Sequence, residues 1–406
     1  ELLLTNIGML ATPTGSSARS GAEQGQIQIL RNAWVLISQG QIAQVGTGTP
    51  PSVNGAQVVD AGGKLVTPGL VDAHTHLIFG GWRQNELGMK LHGKSYLDIQ
   101  NAGGGIQSTT NATRQATEEE LTQKAAKALD EMMRFGTTTC EAKSGYGLAL
   151  EHELKQLRAL RRLQEEHPMD VTATFMGAHL VPAEYKQDRA EYIRLVCEEM
   201  MPAVKEQGIA KFCDVFCEAD TFTVEESRQI LEAGLRHGLR PKIHADEIES
   251  IGGSQLAGEI GAISAEHLIV CPPEGIASMA KGGVIACLLP ATSFCLGSTY
   301  APAREMVSAG VPVAMASDFN PGSCPCLNLQ FVINLGCLRY RLTPEEVLTA
   351  VTLNAAAAID MADRVGSVEA GKQGDLVIWD APDLDYICYR FGSNLVQTVI
   401  KKGRLV

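Results

Sequence analysis

Between residues 68 and 318 the chain alternates, eight times over, between a short apolar run and a longer stretch of helical character. The apolar runs are 68–76, 137–142, 170–179, 211–218, 240–246, 262–267, 283–289 and 311–318; the stretches between them include 118–135, 150–167, 183–206 and 224–237. Short apolar runs bounded by turn residues read as strands buried on both faces, and the segments between them as crossover helices. Eight strand-then-helix units in series predict an α/β chain closed into a (β/α)8 TIM barrel, for which about 250 residues is typical. A doubly wound sheet would need a phosphate-binding glycine turn after the first strand. The glycine cluster here, Gly103-Gly104-Gly105, follows no strand. Thr343-Pro344-Glu345-Glu346 opens a last helix with a cap, a first-turn proline and acids near the positive end.

The two ends read differently. Residues 27–45 alternate apolar and polar side chains around Gln39-Gly40, a hairpin pattern. Residues 375–379 form a strand, and 396–406 turns back on Lys402-Gly403. We therefore expect a small composite β-sandwich domain assembled from both termini, 1–67 and 366–406, around a barrel spanning 68–365. The alternative is two unrelated terminal hairpins. Residues 11–25, rich in Ser, Gly and Thr, read as a mobile loop.

Composition removes several classes of function. A net charge of −12 and a pI near 5.3 speak against a nucleic-acid groove, which needs clustered Lys and Arg. No basic segment leads into an apolar core at the start, and no run approaches the ~18 apolar residues of a membrane span, so a cytoplasmic protein without membrane or nucleic-acid partners is expected. The 11 cysteines are scattered through apolar text and read as reduced, buried thiols. Cys324-Pro325-Cys326 has no partner pair at zinc-finger spacing and is taken as structural.

In a barrel of this kind the chemistry sits where strands end. Polar residues fall there repeatedly: His74 and His76 on the first strand, His179 on the third, His244 on the fifth, His267 on the sixth and Asp318 on the eighth. His74 and His76 are two apart, so on a strand both imidazoles point the same way. His92, His152, His167 and His237 lie in helical or loop text and read as surface residues. His74, His76, His244 and Asp318 make an N3O set suited to a divalent ion such as Zn²⁺ or Fe²⁺, able to lower the pKa of a water to about 7. Asp318 can take that water's proton and pass it to a leaving nitrogen. Glu247, three residues beyond His244, can hydrogen-bond the substrate ring or the water, and His267 can polarise a carbonyl under attack.

The run PGLVDAHTH, with a fifth-strand His, a sixth-strand His and an eighth-strand Asp, resembles the amidohydrolase superfamily along essentially the whole chain. Two-metal members carry a carboxylated Lys at the end of the fourth strand. Here that strand ends Phe216-Cys217-Glu218 and Lys211 stands at its other end, so the resemblance implies one Zn²⁺ or Fe²⁺/Fe³⁺ per subunit. Narrower motifs (HTHLIFGGWRQNE, the Gly103–Ile106 loop, EAKSGYGL, FMGAH, HADE and SDFNPGS) are similar to those of the ring-opening members of histidine degradation, which add water to 4-imidazolone-5-propanoate and give N-formimino-L-glutamate. That resemblance implies a small anionic cyclic-amide substrate, a homodimer, and a pocket lined by Arg83, Tyr146, His179, Asn320, Gly322 and Ser323. Ser323 stands where the family has a threonine and keeps the hydroxyl. Arg83 has its own argument, since a propanoate tail wants a bidentate guanidinium. Asn320 and Gly322 follow Asp318 on a loop whose backbone N–H groups can approach an anion. Two other readings stay open: a mononuclear deaminase of a neutral cyclic amidine, for which Arg83 would hardly matter, and a non-catalytic scaffold, which would fail to hold a metal.

Overall fold

The computed structural model describes residues 1–94, 98–99 and 102–406. Two eight-stranded sheets organise it. The first runs in the order β16-β15-β14-β5-β1-β2-β3, with β4 paired to β1. Here β1 is Leu2–Thr12, β2 Gln28–Ser38, β3 Gln41–Thr47, β4 Gln57–Asp60, β5 Leu65–Pro68, β14 Leu376–Trp379, β15 Val396–Lys401 and β16 Arg404–Leu405. The termini meet where β14 pairs antiparallel with β5, Leu376 opposite Pro68. They are thus one structure and not two hairpins, and the eight strands form one hydrogen-bonded sheet rather than two separate ones. Its core is Leu4, Ile7, Val35, Ile37, Val66, Leu376, Ile378 and Ile400, all essentially solvent-free. Both tight turns put two successive residues at positive φ, as two-residue hairpin turns require: Gln39 and Gly40 at +52° and +80°, Lys402 and Gly403 at +50° and +71°.

The second sheet is the barrel: β6 (Leu70–Asp72), β7 (Thr137–Lys143), β8 (Asp170–Ala178), β9 (Ala210–Cys217), β10 (Arg240–Ala245), β11 (Ser264–His267), β12 (Ile285–Leu288) and β13 (Val313–Met315), parallel and in sequence order. The first strand is shorter than the expected 68–76 because the chain changes sheets at Gly69, leaving β5 to the terminal sheet. β6 and β13 share no regular ladder. The ring closes just beyond their ends instead: Asp318 N–H donates to the His74 carbonyl at 3.0 Å, and His76 N–H to the Phe319 carbonyl at 2.9 Å. That seam places His74, His76 and Asp318 side by side.

Two expectations give way. The stretch 11–25 is not a loose loop. β1 runs on to Thr12, and a short 3₁₀ turn, Gly21–Gly25, is sewn to the barrel. The Gln24 amide pairs with the Val313 backbone in both directions, at 3.1 and 3.0 Å, satisfying groups that β13 leaves unpaired. Arg19 and Asn354 bond reciprocally at 2.7 and 2.9 Å. The helix expected over 183–206 is broken into a turn (Ala183–Tyr185), a helix (Arg189–Leu195), one wide turn (Val196–Met200) and a helix (Met201–Gln207). Asp188 caps the new start, accepting from Glu191 N–H at 3.2 Å. Pro202 has no N–H to return to the preceding turn, which widens it. Among the described residues no helix is long and apolar enough to cross a membrane. Of the eleven thiols eight are buried; Cys326 and Cys337 are half-buried and Cys295 is exposed.

Candidate metal centre and active-site cavity

Inside a parallel barrel a charged side chain must find an opposite charge, because burial penalises an isolated one. Five such groups stand on β7, β9, β10 and β11, just below the histidines. Lys143 Nζ lies 2.7 Å from Glu141 and 2.9 Å from Asp214, and Lys242 Nζ 3.1 Å from Glu266, all without solvent exposure. These carboxylates in turn hold imidazoles. Glu266 Oε2 is 2.7 Å from His74 Nδ1, and Asp214 Oδ1 is 3.0 Å from His244 Nδ1. Burial works against the charge on both acids, but Lys242 and Lys143 bring Glu266 down to about 2, and His244 and Lys143 hold Asp214 below its usual range. Ionised carboxylates accept; His74 and His244 therefore carry their protons on Nδ1 and turn the lone pair of Nε2 inward.

Those lone pairs converge. His244 Nε2 is 3.4 Å from His76 Nε2, and Asp318 Oδ1 is 3.3 Å from His74 Nε2 and 3.5 Å from His76 Nε2. His74 Nε2 and Asp318 Oδ1 are buried without a hydrogen-bond partner. Burial, then neighbouring positive groups, keeps His74 and His76 neutral, their pKa values well below the ordinary imidazole range. Lone pairs and a carboxylate oxygen facing one another repel unless a cation sits among them. Buried imidazole nitrogens with one carboxylate oxygen are the donors Zn²⁺ and Fe²⁺ take, so the residues fit a metal. His76 Nδ1 has no orienting acceptor; its ring is held by stacking on His179, with centroids 4.9 Å apart and planes 17° from parallel.

Asp318 is fixed from behind. Its φ of +56° is uncommon for a residue with a side chain, and Thr292 Oγ1 donates to its Oδ2 at 2.6 Å. Burial pushes its pKa up to about 6. His267, at φ +70°, turns its Nε2 toward Glu247 Oε2 at 3.5 Å. Burial first, then the charges of Asp318 and Glu218, raise Glu247 to about 8, so it carries a proton at neutral pH.

Above this floor opens a cavity of about 750 Å³, within the range of small-molecule sites. It is lined by His76, His244, Glu247, His267 and Asp318, and by Arg83, Tyr146, His179, Asn320 and Ser323. His74 lies beneath, fully buried. Arg83 is anchored through Nε to Glu86 at 3.1 Å, and Glu86 also accepts from Gly105 N–H at 2.7 Å, which gives the glycine loop its place. The Arg83 Nη groups make no hydrogen bond among the described residues. Gly322 does not line the cavity as an anion donor. Its N–H and that of Ser323 both go to Asn320 Oδ1, at 2.9 and 2.8 Å, closing the loop on itself. Its lack of a side chain is what counts, since a Cβ there would lie 2.1 Å from the Arg83 guanidinium carbon.

Lys211 is exposed at the start of β9, beside a small cavity with Asp170 and Arg364, at the far end of the barrel from the histidines. At the near end stands Phe216, its ring centroid 5.8 Å from that of His244, where a second ion would need a ligand. Of the remaining histidines only His92 is exposed; His152, His167 and His237 are half-buried. His167 ties its helix end to Asp130 at 3.2 Å and accepts from Met169 N–H, a packing role rather than a solvated one. Sequence reading missed Asp214, Glu266, Lys143, Lys242 and Thr292. The signal was present as charged residues inside apolar strands (FCDVF, PKIHA, SAEH, CEAK), which burial forbids unless they are paired.

The profile of the amidohydrolase family matches residues 65–406. An imidazolonepropionase from Alkaliphilus metalliredigens is 51% identical across 100% of this chain and 98% of its own, and one from Brevibacillus brevis 50% identical across 99% and 97%. Among solved structures, an atrazine chlorohydrolase from Arthrobacter aurescens complexed with zinc and atraton superposes with a TM-score of 0.76 at 16% identity, covering 100% of this chain and 95% of that one. A guanine deaminase from C. acetobutylicum gives 0.69 at 16%, covering 100% and 99%. At such identities these structures speak for the barrel and its terminal sheet alone. Identity at half of all positions from end to end says more: the chain belongs to the amidohydrolase family, among the imidazolonepropionases.

Proposed function

We infer that this protein hydrolyses the cyclic amide of 4-imidazolone-5-propanoate to N-formimino-L-glutamate, with His74, His76, His244 and Asp318 holding one ion, Zn²⁺ or iron. The observation that carries the reading is a buried convergence of three imidazole nitrogens and one carboxylate oxygen at the floor of a cavity that also presents a guanidinium whose Nη groups make no hydrogen bond among the described residues. An ion held by that set supplies Lewis-acid activation of a water and of the carbonyl it attacks. The protein's own residues do the rest. Arg83 takes the propanoate carboxylate in a bidentate contact, which fixes the ring's direction of entry. Tyr146 and His179 flank the ring, and Asn320 and Ser323 line the cavity with them. Glu247, carrying its proton, donates a hydrogen bond to the ring, and His267 polarises the carbonyl. Asp318 accepts the proton of the attacking water at its carboxylate and delivers it to the ring nitrogen as the carbon–nitrogen bond breaks. The division into a barrel at 68–365 and a β domain at 1–67 and 366–406 belongs to the same reading, as do a cytoplasmic setting, which the free thiols suit, and a homodimer.

The test is to give metal-loaded protein freshly generated imidazolonepropanoate and follow the loss of its ultraviolet band. Turnover well above that of metal-stripped protein is expected; a rate equal to the stripped control removes the reading. A neutral cyclic amidine, offered in parallel, should be left unchanged.

A further inference from the structure

The loop that carries Tyr146 leaves β7 with a backbone no ordinary turn would hold. Gly145 is at φ +105° and Leu148, which has a branched side chain, at +50°. Its four successive N–H groups, 145–148, find no partner in the backbone of a sheet or helix. Two side chains of the helix Leu150–Glu166 take all four. Glu153 accepts from Gly145 at 3.0 Å, Gly147 at 2.8 Å and Leu148 at 2.8 Å, and Gln156 accepts from Tyr146 at 3.2 Å. Both acceptors are fully buried. Gln156 is itself pinned, donating to the Ile78 carbonyl at 2.7 Å.

Three carbonyls of the loop are engaged as well. Arg114 donates to Gly147 O at 2.7 Å and to Leu148 O at 3.1 Å. Gly145 O lies 2.9 Å from His179 Nδ1. A carbonyl can only accept, so this bond puts the proton of the neutral His179 ring on Nδ1 and leaves Nε2 as an acceptor. The ring that stacks on His76 and lines the cavity is thereby a hydrogen-bond acceptor by construction.

We propose that Glu153 is a positioning residue for substrate recognition: it clamps the 145–148 loop so that Gly145 O fixes the His179 tautomer, and His179 Nε2 then selects a ring bearing an N–H donor. This rests on the reading of the cavity as the imidazolone site. Glu153 touches no reacting atom and no metal ligand. Glu153→Gln keeps the shape but aims an amide NH2 at backbone donors, so the loop loses one of its three Glu153 bonds or more.

Two readouts separate this from general support of the fold. KM for imidazolonepropanoate should rise about tenfold, with kcat within about threefold and metal content unchanged, the pattern of lost binding rather than lost chemistry. In ¹⁵N-histidine-labelled zinc protein, the His179 nitrogens, assigned by their loss in His179→Gln, should pass from a single Nδ1–H tautomer to a mixture. If Glu153→Gln fails to fold, Arg114→Gln and Gln156→Leu loosen the same loop from its other sides and should show both effects at about threefold. Variants that turn over normally with an unchanged His179 signal overturn the proposal, and so do variants whose kcat and metal content fall together. Wild-type protein that does not consume imidazolonepropanoate would defeat the proposed function, while the tautomer measurement would still decide the role of Glu153.

Discussion

The floor and the walls of the cavity are built by different means. On the floor, the functional side chains stand on or just past barrel strands, and buried charge orients two of the imidazoles: Lys242 to Glu266 to His74, and Lys143 to Asp214 to His244. On the walls, functional side chains stand on loops that side chain to backbone hydrogen bonds hold, Glu153 on the Tyr146 loop, Asn320 Oδ1 on Gly322 and Ser323, and Glu86 on Gly105, with Glu86 also ion-paired to Arg83. The difference follows from what each region does. A metal needs lone pairs fixed to within a fraction of an ångström, which ionised partners in a dry interior provide. A substrate must enter and leave, so its contacts sit on segments whose backbone is pinned only locally.

Breaking the floor should have the largest effect. His244→Ala removes a donor outright; metal analysis should show far less than one equivalent, with activity lost beyond the ~10–100-fold typical of losing an orienting partner. Full metal occupancy in that variant would mean the ion sits elsewhere. Glu266→Gln leaves all four donors but weakens the hold on the His74 tautomer, and should cost about 10–100-fold in metal affinity by competition with a chelator. On the wall, Arg83→Ala should raise KM by about 10–100-fold, the equivalent of one charged contact of ~1.5–3 kcal/mol, with kcat and metal content near wild type. A matching loss of metal would erase the distinction between floor and wall.

Glu247 lies between the two regions and sharpens the comparison by pH. Its raised pKa, about 8, means it is protonated below that pH and loses its donor above it. The rate should therefore fall on the alkaline side, about tenfold per unit once Glu247 has ionised, if only the protonated form is active. Glu247→Gln cannot ionise, so its lower rate should lack that limb while metal content persists. The smallest effect on turnover belongs to the terminal sheet. Trp379 Nε1 donates to Thr67 Oγ1 at 2.9 Å in a fully buried setting. Thr67→Val should lower stability by ~1–3 kcal/mol in denaturant unfolding and leave kcat unchanged.

Floor residues were legible in the sequence because a strand end is a position that periodicity can locate. His74, His76, His179, His244, His267 and Asp318 all follow apolar runs, and all lie at the cavity or directly beneath it. Tyr146, Asn320 and Ser323 could be placed only by likeness to a family, since loop text carries no period. Gly322 was expected to offer its N–H to an anion, but Asn320 takes it and the glycine instead makes room for Arg83.

The sequence by itself determined the barrel, the composite terminal sheet and the ligand types, because hydrophobic periodicity and turn chemistry act over a few residues at a time. Tertiary structure alone decided which nitrogen of each histidine carries its proton, which carboxylate each buried lysine neutralises, and how Glu153 grips a strained loop. Those choices depend on partners from separate strands and helices, such as Glu266 and His74, 192 residues apart. Only folding brings such groups within the ~3 Å where a hydrogen bond can act.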